Sequence, residues 1–392
     1  MMIMTKKNLC IAVVGLGGAV GTTMVAGIEL LRRSKINKVG LPLADISADL
    51  ISYCDISFAG WDLFEEDLSK AAENHQVLAA RHLDEIKDFL SDIKPLPAIA
   101  DKRFLSNIEG KNVINAESHR EKIELVRADI RRMKKSANSV VVLNLASTEK
   151  IINTNDPVFQ DISAFERALD ESSDLISPAM MYAYASIAEK VPYANFTPSF
   201  AVDIPALIEF AYSQNVPIAG KDGKTGQTFI KTVIAPALKA RALKIVGWYS
   251  TNILGNRDGL ALSNENSLAS KLKTKSSVLD EILGYEVEDH IVDIRYYRPR
   301  GDNKEAWDNI DFLGFLNQPM QIKINFLCRD SILAAPLAIE IARCLELAER
   351  RGEGGIQEQL SVFFKSPMSK SESPEHSFHL QQEALLKWLH RA

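Results

Sequence analysis

Residues 8–23 read Asn-Leu-Cys-Ile-Ala-Val-Val-Gly-Leu-Gly-Gly-Ala-Val-Gly-Thr-Thr, and this stretch decides the first half of the fold. The apolar, β-branched run 8–14 is typical of a buried parallel strand, and an apolar helical pattern follows through Leu31. The turn between them contains Gly15, Gly17, Gly18 and Gly21. This arrangement is a variant of the dinucleotide fingerprint, because glycines let the backbone approach a pyrophosphate at a helix N-terminus. The alternative is a glycine-rich turn that binds nothing.

Later strand ends extend the predicted cofactor crevice. Residues 51–58 are interpreted as the next strand, and Asp62 follows its carboxyl end. An acid at this position binds the adenosine ribose hydroxyls and disfavours a 2′-phosphate, so Asp62 predicts NAD rather than NADP. Alternatively Asp62 caps a helix, and one residue can do both. A strand over 139–145 and another near Tyr193 end at the same edge of a doubly wound sheet. They bring to that edge Ala146, Ser147, Thr148 and Asn195.

Two lysine-rich segments follow, at 220–228 and 254–281. The second opens with Leu-Gly-Asn-Arg-Asp-Gly, a tight polar turn that displays Asn256 and Asp258. Lys271 and Lys275 then stand four residues apart on a predicted helix, so they project from one face. Two ammonium groups that close repel each other unless an anion lies between them, which predicts a phosphate or a developing oxyanion as the guest. The alternative is a solvated charge run.

Composition limits the class of protein. The chain has 392 residues, 46% of them hydrophobic and 25% charged, which suits two globular domains. A formal net charge of −5 argues against nucleic acid or an anionic membrane as the main partner. No apolar run approaches the roughly 18–20 residues of a membrane helix, so a cytoplasmic protein is expected. The four cysteines and seven histidines show no metal-ligand spacing, so no metal site is predicted.

The second half of the chain has a different pattern of elements. A helix over 228–242 is followed by predicted strands at 243–249, 287–298 and 321–327. The fold class is therefore α/β, a Rossmann-like doubly wound parallel sheet plus a second α+β domain with an open sheet. The predicted boundaries are 1–226 for the dinucleotide domain, 227–335 for the second domain, and 336–392 for a C-terminal helical segment that returns to the first.

Taken together, these motifs resemble the inositol-3-phosphate synthase family, also called myo-inositol-1-phosphate synthases. The matching segments occur in family order: Gly-Leu-Gly-Gly at 15–18, Gly-Trp-Asp-Leu at 60–63, Ile-Lys-Pro-Leu-Pro at 93–97, Gly-x-Asp-x-Lys-Thr-Gly-Gln-Thr at 220–228, Leu-Gly-Asn-x-Asp-Gly at 254–259, Ser-Lys-x-x-x-Lys-Ser at 270–276, Asp-His at 289–290, Gly-Asp-x-Lys at 301–304, Asp-Ser-x-Leu-Ala-Ala-Pro at 330–336 and Lys-Ser-Pro at 365–367. Two segments depart from the family pattern. Its Asn-Asn after the glycines is Ala19-Val20, and its Asn-Gly-Ser-Pro-Gln-Asn is Asn-Phe-Thr-Pro-Ser-Phe at 195–200. The chain also lacks the longer insertions of eukaryotic members, so a bacterial member is expected.

The resemblance implies a redox-neutral isomerisation of D-glucose 6-phosphate to 1D-myo-inositol 3-phosphate. NAD takes hydride from C5, loss of a C6 proton gives an enolate, C6 attacks the C1 aldehyde, and NADH returns the hydride. Negative charge develops on two oxygens in turn, and preorganised ammonium groups stabilise such charge. A lysine with a lowered pKa, or the substrate's own phosphate, supplies the proton acceptor. The family is commonly tetrameric, so a homotetramer formed through the second sheet is expected.

The resemblance also implies roles for individual residues. The catalytic group comprises Lys271, Lys365, Lys304, Asp222 and Asp330. In it, Lys271 and Lys365 face the reacting oxygens, and Asp222 and Asp330 orient the lysines. The phosphate is held by Lys275, Lys304 and the backbone of Thr225, Gly226 and Gln227, while Asn256 and Asp258 lie where cofactor meets substrate. Three of these residues also have a purely structural interpretation. Asp330 can cap a helix, Lys304 can lie in an ordinary turn, and Lys365 can lie in an exposed loop.

Other functions stay open from the sequence. A plain NAD-dependent dehydrogenase with a Rossmann domain would release NADH, and it needs fewer lysines. A related synthase could cyclise another sugar phosphate, which the departure at 195–200 would explain. A non-catalytic binding protein of the same fold is the third alternative, and the several retained lysines argue against it.

Overall fold

A seven-stranded parallel sheet is formed mainly by the first half of the chain in the computed structural model, which describes residues 7–105, 109–255, 278–371 and 373–391. Its strands are β1 (Leu9–Val14), β2 (Ile56–Asp62), β3 (Leu96–Pro97), β4 (Ser139–Asn144), β5 (Tyr193–Asn195), β6 (Pro217–Gly220) and β11 (Gly355–Ile356). The order across the sheet is β11-β6-β5-β4-β1-β2-β3. The strand order therefore reverses beside β1, at the topological switch point where such sheets bind their ligands.

Helices cover both faces of this sheet. They are α1 (Ala19–Arg32), α2 (Leu68–His75), α3 (Ala80–Ser91), α4 (His119–Ser136), α5 (Ile162–Asp170), α6 (Pro178–Ala188) and α7 (Pro205–Gln214). One buried cluster joins the sheet to α1, and a second joins it to α4, α6 and α7. The predicted Rossmann-like fold is confirmed.

A second, four-stranded sheet follows. Its elements are α8 (Gly226–Ala240), β7 (Lys244–Leu254), β8 (Asp289–Tyr296), β9 (Asn303–Leu313) and β10 (Pro319–Arg329), in the strand order β10-β9-β7-β8. The pair β7 and β8 is parallel, whereas β9 runs antiparallel to both β7 and β10. Helix α8 packs on one face around Trp248 and Ile310. The other face exposes large apolar side chains: Tyr249, Ile291, Trp307 and Leu327.

The chain then returns to the first sheet. Helix α9 (Asp330–Arg350) packs against α1 in the core of that sheet. Strand β11 pairs with β6 and forms one edge of the first sheet. The last described helix is α10 (Phe378–Leu389). The first sheet is thus completed by residues from both ends of the sequence.

A buried ion pair fixes α9 to the long connection between α1 and β2. The Glu340 carboxylate accepts from Arg343 Nη1 at 2.6 Å and from the Tyr53 hydroxyl at 2.5 Å. Arg343 Nε also donates to the carbonyl of Ile51 at 2.7 Å. Both charged side chains are almost completely buried.

Three predicted elements differ from the structure. The strand expected over 51–58 begins only at Ile56, because residues 53–55 form a 3₁₀ turn. The sequence pattern over residues 67–90 predicts a single helix, but the structure has two, since Gln76 adopts a left-handed conformation that ends α2. The sequence pattern over residues 300–304 predicts a turn, but strand β9 already begins at Asn303 and includes Lys304. None of the described helices is both long and apolar enough to span a membrane.

Candidate functional site

The glycine turn between β1 and α1 lies against the end of β2. The N–H groups of Gly15 and Leu16 donate to the Trp61 carbonyl at 2.8 and 3.2 Å. Gly15 has φ +89°, and a Cβ at Gly21 would lie 2.4 Å from the Leu16 carbonyl oxygen. Only glycine fits at these two positions without moving the backbone. The turn is therefore held close to the N-terminus of α1, where a pyrophosphate would bind.

Two side chains hold Gly17 from opposite sides. Its N–H donates to Asp62 Oδ2 at 2.8 Å, and Asp62 Oδ1 accepts from Phe64 N–H at 3.1 Å. Its carbonyl oxygen lies 2.9 Å from His75 Nε2, which must carry the proton because a carbonyl only accepts. The side chain that caps α2 is Asp67 rather than Asp62. Sequence reasoning missed His75, because no pattern connects a helix end to a turn 58 residues earlier.

A cavity of about 360 Å³ opens beside this turn. Seven of the residues predicted to bind the cofactor line it: Gly15, Gly17, Gly18, Gly21, Asp62, Ala146 and Ser147. Its walls also include Asn144, Glu149 and Tyr182, none of which was predicted as a site residue. The absence of side chains at the turn, and the acid at the end of β2, fit a dinucleotide.

Two other predicted cofactor residues are not among those that line the cavity. Asn195 is fully buried behind Asn144, whose amide donates to Asn195 Oδ1 at 3.2 Å. The Asn195 amide in turn donates to the Ser199 carbonyl at 2.6 Å, so its polar atoms are used within the protein. Thr148 is half-buried next to Ser147.

We expect alanine at Asp62 to weaken NAD binding about tenfold, because a charged hydrogen-bond acceptor is lost. The preference for NAD over NADP should fall as well, since the carboxylate that repels a 2′-phosphate is gone. Equilibrium binding of both dinucleotides measures the effect, with the exposed Asp84→Ala as the control. Unchanged affinity for both dinucleotides would show that Asp62 does not contact the adenosine ribose.

The cavity extends to the second sheet and the start of α9. Gly255, Gly301, Asp302, Asp330 and Ser331 line its far side. Ser331 Oγ donates to Asp302 Oδ1 at 2.7 Å, and burial raises the pKa of the Asp302 carboxyl. The dinucleotide groove is therefore continuous with the neighbourhood of Asp330.

Four predicted residues form two lysine–carboxylate pairs there. Lys365 Nζ lies 2.7 Å from Asp222 Oδ1, and Lys304 Nζ lies 3.5 Å from Asp330 Oδ1. Thr225 Oγ1 donates to the same Asp330 oxygen at 3.0 Å. Both lysine side chains are only 14% exposed. The structure thus brings together residues that are up to 143 positions apart in the chain.

The start of α8 adds unpaired N–H groups to this cluster. The helix begins at Gly226, so the first backbone N–H groups lack intrahelical acceptors and attract an anion. An added Cβ at Gly226 would lie 3.3 Å from Lys304 Nζ, so glycine leaves room between helix and lysine. The Gln227 side chain faces away and donates to the carbonyl oxygens of Thr251 and Trp307, both at 3.2 Å.

Electrostatics keep Lys304 charged. Burial by itself lowers the pKa of Lys304, but the carboxylates of Asp330 and Asp222 outweigh burial and hold that pKa above its usual value. An ammonium group at a helix N-terminus is suited to a phosphate. The predicted residues Asn256, Asp258, Lys271 and Lys275 lie outside the described residues.

Lys224 of the same loop faces the other way, under α10. It is 4% exposed and donates to Gln381 Oε1, and burial lowers its pKa from 10.5 to about 7. Between these values the unfolded chain binds one proton more than the folded chain, so the free energy of unfolding should rise with pH from about 7 to 10.

We expect methionine at Lys224 to remove the penalty of burying this amine. At pH 7 the free energy of unfolding should increase by about 1–3 kcal/mol, since one pKa unit corresponds to about 1.4 kcal/mol. The rise in stability between pH 7 and 10 should become shallower. Urea unfolding at several pH values measures both effects, with the exposed Lys370→Met as the control. A loss of stability at pH 7 would contradict the prediction.

The fold and the groove together define a class, the two-domain α/β enzymes that bind a dinucleotide beside a cationic pocket. A family model described as myo-inositol-1-phosphate synthase matches residues 32–390. The chain belongs to the myo-inositol-1-phosphate synthase family, and it is an NAD-dependent enzyme.

Individual relatives agree with this assignment. An inositol-3-phosphate synthase of Bacteroides thetaiotaomicron is 43% identical over 95% of this chain and 93% of its own. An inositol-3-phosphate synthase isozyme of Arabidopsis thaliana is 28% identical over 98% of this chain and 85% of its own. The crystal structure of inositol-3-phosphate synthase from Caenorhabditis elegans superposes with a TM-score of 0.91 at 27% identity, covering 99% of this chain and 86% of that one.

Proposed function

We propose that this enzyme converts D-glucose 6-phosphate to 1D-myo-inositol 3-phosphate, with NAD as a cofactor that is regenerated in each cycle. The observation that carries the proposal is the lysine–carboxylate cluster at the start of α8, which adjoins the dinucleotide cavity through Asp330. A plain dehydrogenase needs one general base, whereas an internal aldol closure needs several positive groups for its successive oxyanions. The relatives' names as inositol-3-phosphate synthases support the same reaction.

The phosphate of the substrate would bind at the start of α8. Lys304 supplies a positive charge there, and the backbone N–H groups of the first turn supply hydrogen-bond donors. Thr225 is kept in place by its hydrogen bond to Asp330. Binding energy from this remote group would hold the sugar in position for the chemistry.

The reacting oxygens would face Lys365. Asp222 fixes the direction of its ammonium group, with Nζ and Oδ1 2.7 Å apart. A positioned ammonium group can donate to a developing oxyanion at no further cost in reorganisation. When bound, NAD supplies a hydride acceptor at C5 of the sugar and then returns the hydride. Lys271 completes the proposed catalytic group, and Lys275 shares the phosphate with Lys304.

Incubation with glucose 6-phosphate and a catalytic amount of NAD tests the proposal, with inositol phosphate and NADH absorbance followed together. Inositol phosphate without net NADH is the expected result. Stoichiometric NADH without a cyclic product would replace the proposal with a plain dehydrogenase. If neither forms while NAD still binds, another sugar phosphate is the substrate.

We also infer that the enzyme is a homotetramer assembled through its second sheet. The exposed face of that sheet carries Tyr249, Ile291, Trp307 and Leu327, each more than 40% exposed. Such a patch is typical of an interface between copies of a chain. Light scattering on the full chain is expected to give four times the mass of 43.5 kDa, and a monomer would contradict the inference.

A further inference from the structure

Glu149 is a buried carboxyl group in the wall of the cofactor cavity. It is 7% exposed, and its Oε1 accepts from the N–H of Ala179, in the first turn of α6, at 2.9 Å. Its own N–H donates to Ser199 Oγ at 2.9 Å. Among the described residues its Oε2 accepts no well-formed hydrogen bond, although the Ser177 hydroxyl interacts with the carboxyl group and lowers its pKa. A buried polar atom without a partner is costly, so a bound molecule is the natural source of one.

Glu149 lies in the part of the cavity where the adenosine end of the dinucleotide would bind. Asp62, at the end of β2, lies where the adenosine ribose would bind. On the same side the cavity is walled by Leu63, Ile99 and Tyr182, which offer apolar surface to a flat base. Tyr182 is rigid, because its hydroxyl accepts from Ile99 N–H at 2.9 Å and its ring lies 5.2 Å from that of Trp61.

Helix α6 connects Glu149 to this wall of the cavity. Ala179, which donates to Glu149, and Tyr182 are three residues apart on that helix and both line the cavity. A purine at this place would have an apolar slot around its faces and one carboxyl oxygen at its edge. The 6-amino group of adenine is a hydrogen-bond donor at such an edge.

We propose that Glu149 recognises the adenine of NAD by accepting a hydrogen bond from its 6-amino group at Oε2, and thereby selects adenine over 6-oxo purines. Hypoxanthine carries a carbonyl oxygen at that position, and two acceptors facing each other lose the hydrogen bond and repel. Burial raises the pKa of the Glu149 carboxyl to about 7, so the group is ionised and purely an acceptor above pH 8. This proposal rests on the NAD site and not on the proposed sugar substrate.

The structural alternative is that Glu149 only holds the start of α6, where Ser177 and Ala179 lie beside its carboxyl group. A binding measurement separates the two roles. The full-length enzyme is titrated at pH 8.5 with NAD⁺ and with nicotinamide hypoxanthine dinucleotide. We expect the enzyme to bind NAD⁺ roughly tenfold or more tightly.

The Glu149→Gln variant is expected to lose this preference, because an amide offers both an acceptor and a donor and can pair with either base. Its two dissociation constants should agree within about threefold, whereas the exposed control Glu171→Gln should keep the wild-type ratio. Thermal unfolding of each variant reports whether α6 is still held. A folded Gln variant that keeps the tenfold ratio overturns the proposal, as does a wild type that binds both dinucleotides equally. If the Gln variant fails to fold, Glu149→Asp takes its place. Its shorter side chain withdraws the carboxyl group from the base, so this variant must lose the tenfold preference for NAD⁺.

Discussion

Replacing Lys365 with alanine is expected to lower turnover of glucose 6-phosphate about 10²–10³-fold while NAD binding stays unchanged. The magnitude is that of losing one preorganised donor to a developing oxyanion. Lys365 Nζ is held 2.7 Å from Asp222 Oδ1, and both side chains are mostly buried, so its ammonium group is positioned before the substrate arrives. Steady-state rates of inositol phosphate formation and the Kd for NAD measure the two halves of the prediction.

The control for Lys365 is alanine at Lys370, an exposed lysine five residues further along the same segment. It should leave both turnover and NAD binding unaltered. Turnover of the Asp222→Asn variant should lie between those of the Lys365→Ala and Lys370→Ala variants, because Lys365 remains but is no longer fixed by a charge. Turnover of the Lys365 variant within a factor of about three of wild type would place this lysine outside the chemistry.

Alanine at Glu340 is expected to reduce the free energy of unfolding by about 3–5 kcal/mol, the largest effect on stability that we predict. It leaves the guanidinium of Arg343 buried without its carboxylate, and it removes the acceptor of the Tyr53 hydroxyl. Urea unfolding at one fixed protein concentration measures the change, since the proposed assembly would make stability concentration-dependent.

Two comparisons test the cause of that loss. The double variant with leucine at Glu340 and Arg343 should lose less free energy of unfolding than Glu340→Ala, because removing both charges leaves neither one buried alone. Alanine at Glu383, whose ion pair with Lys387 on α10 is exposed, should leave the unfolding midpoint unchanged. A double variant as unstable as the single one would assign the effect to packing and not to the unpaired charge.

Much of the fold follows from local patterns in the sequence. The strand, glycine turn and helix at 9–32 are specified by residues that are neighbours in the chain, and the structure confirms the fold class they predict. Strand β9 was missed because a buried acid, Asp308, interrupts its apolar alternation. In the structure Trp248 Nε1 and Ser250 Oγ donate to Asp308 at 2.8 and 2.6 Å. Such compensation comes from other strands, so the strand's own sequence does not contain it.

The site was less accessible to sequence reasoning than the fold. The roles of Lys365 and Asp222 came from a family resemblance, because nothing in either segment indicates that they meet. Their catalytic roles stay predictions. Glu149 directly follows the predicted Ala146–Thr148 stretch, and its position after a strand end was the available signal. What the sequence could not show is that the carboxyl is buried with one oxygen unpaired.

The return of α9 and β11 to the first sheet has a consequence for how the protein is synthesised. When the ribosome has released the first 226 residues, the face of the sheet that α9 later covers is still open. The edge beside β6 also lacks β11 at that stage. A nascent chain therefore exposes apolar surface and an unpaired strand edge for more than a hundred further residues of translation, a condition that favours aggregation and engages chaperones. Early stop codons, even ones beyond every proposed catalytic residue except Lys365, should yield chains that are degraded and not merely inactive.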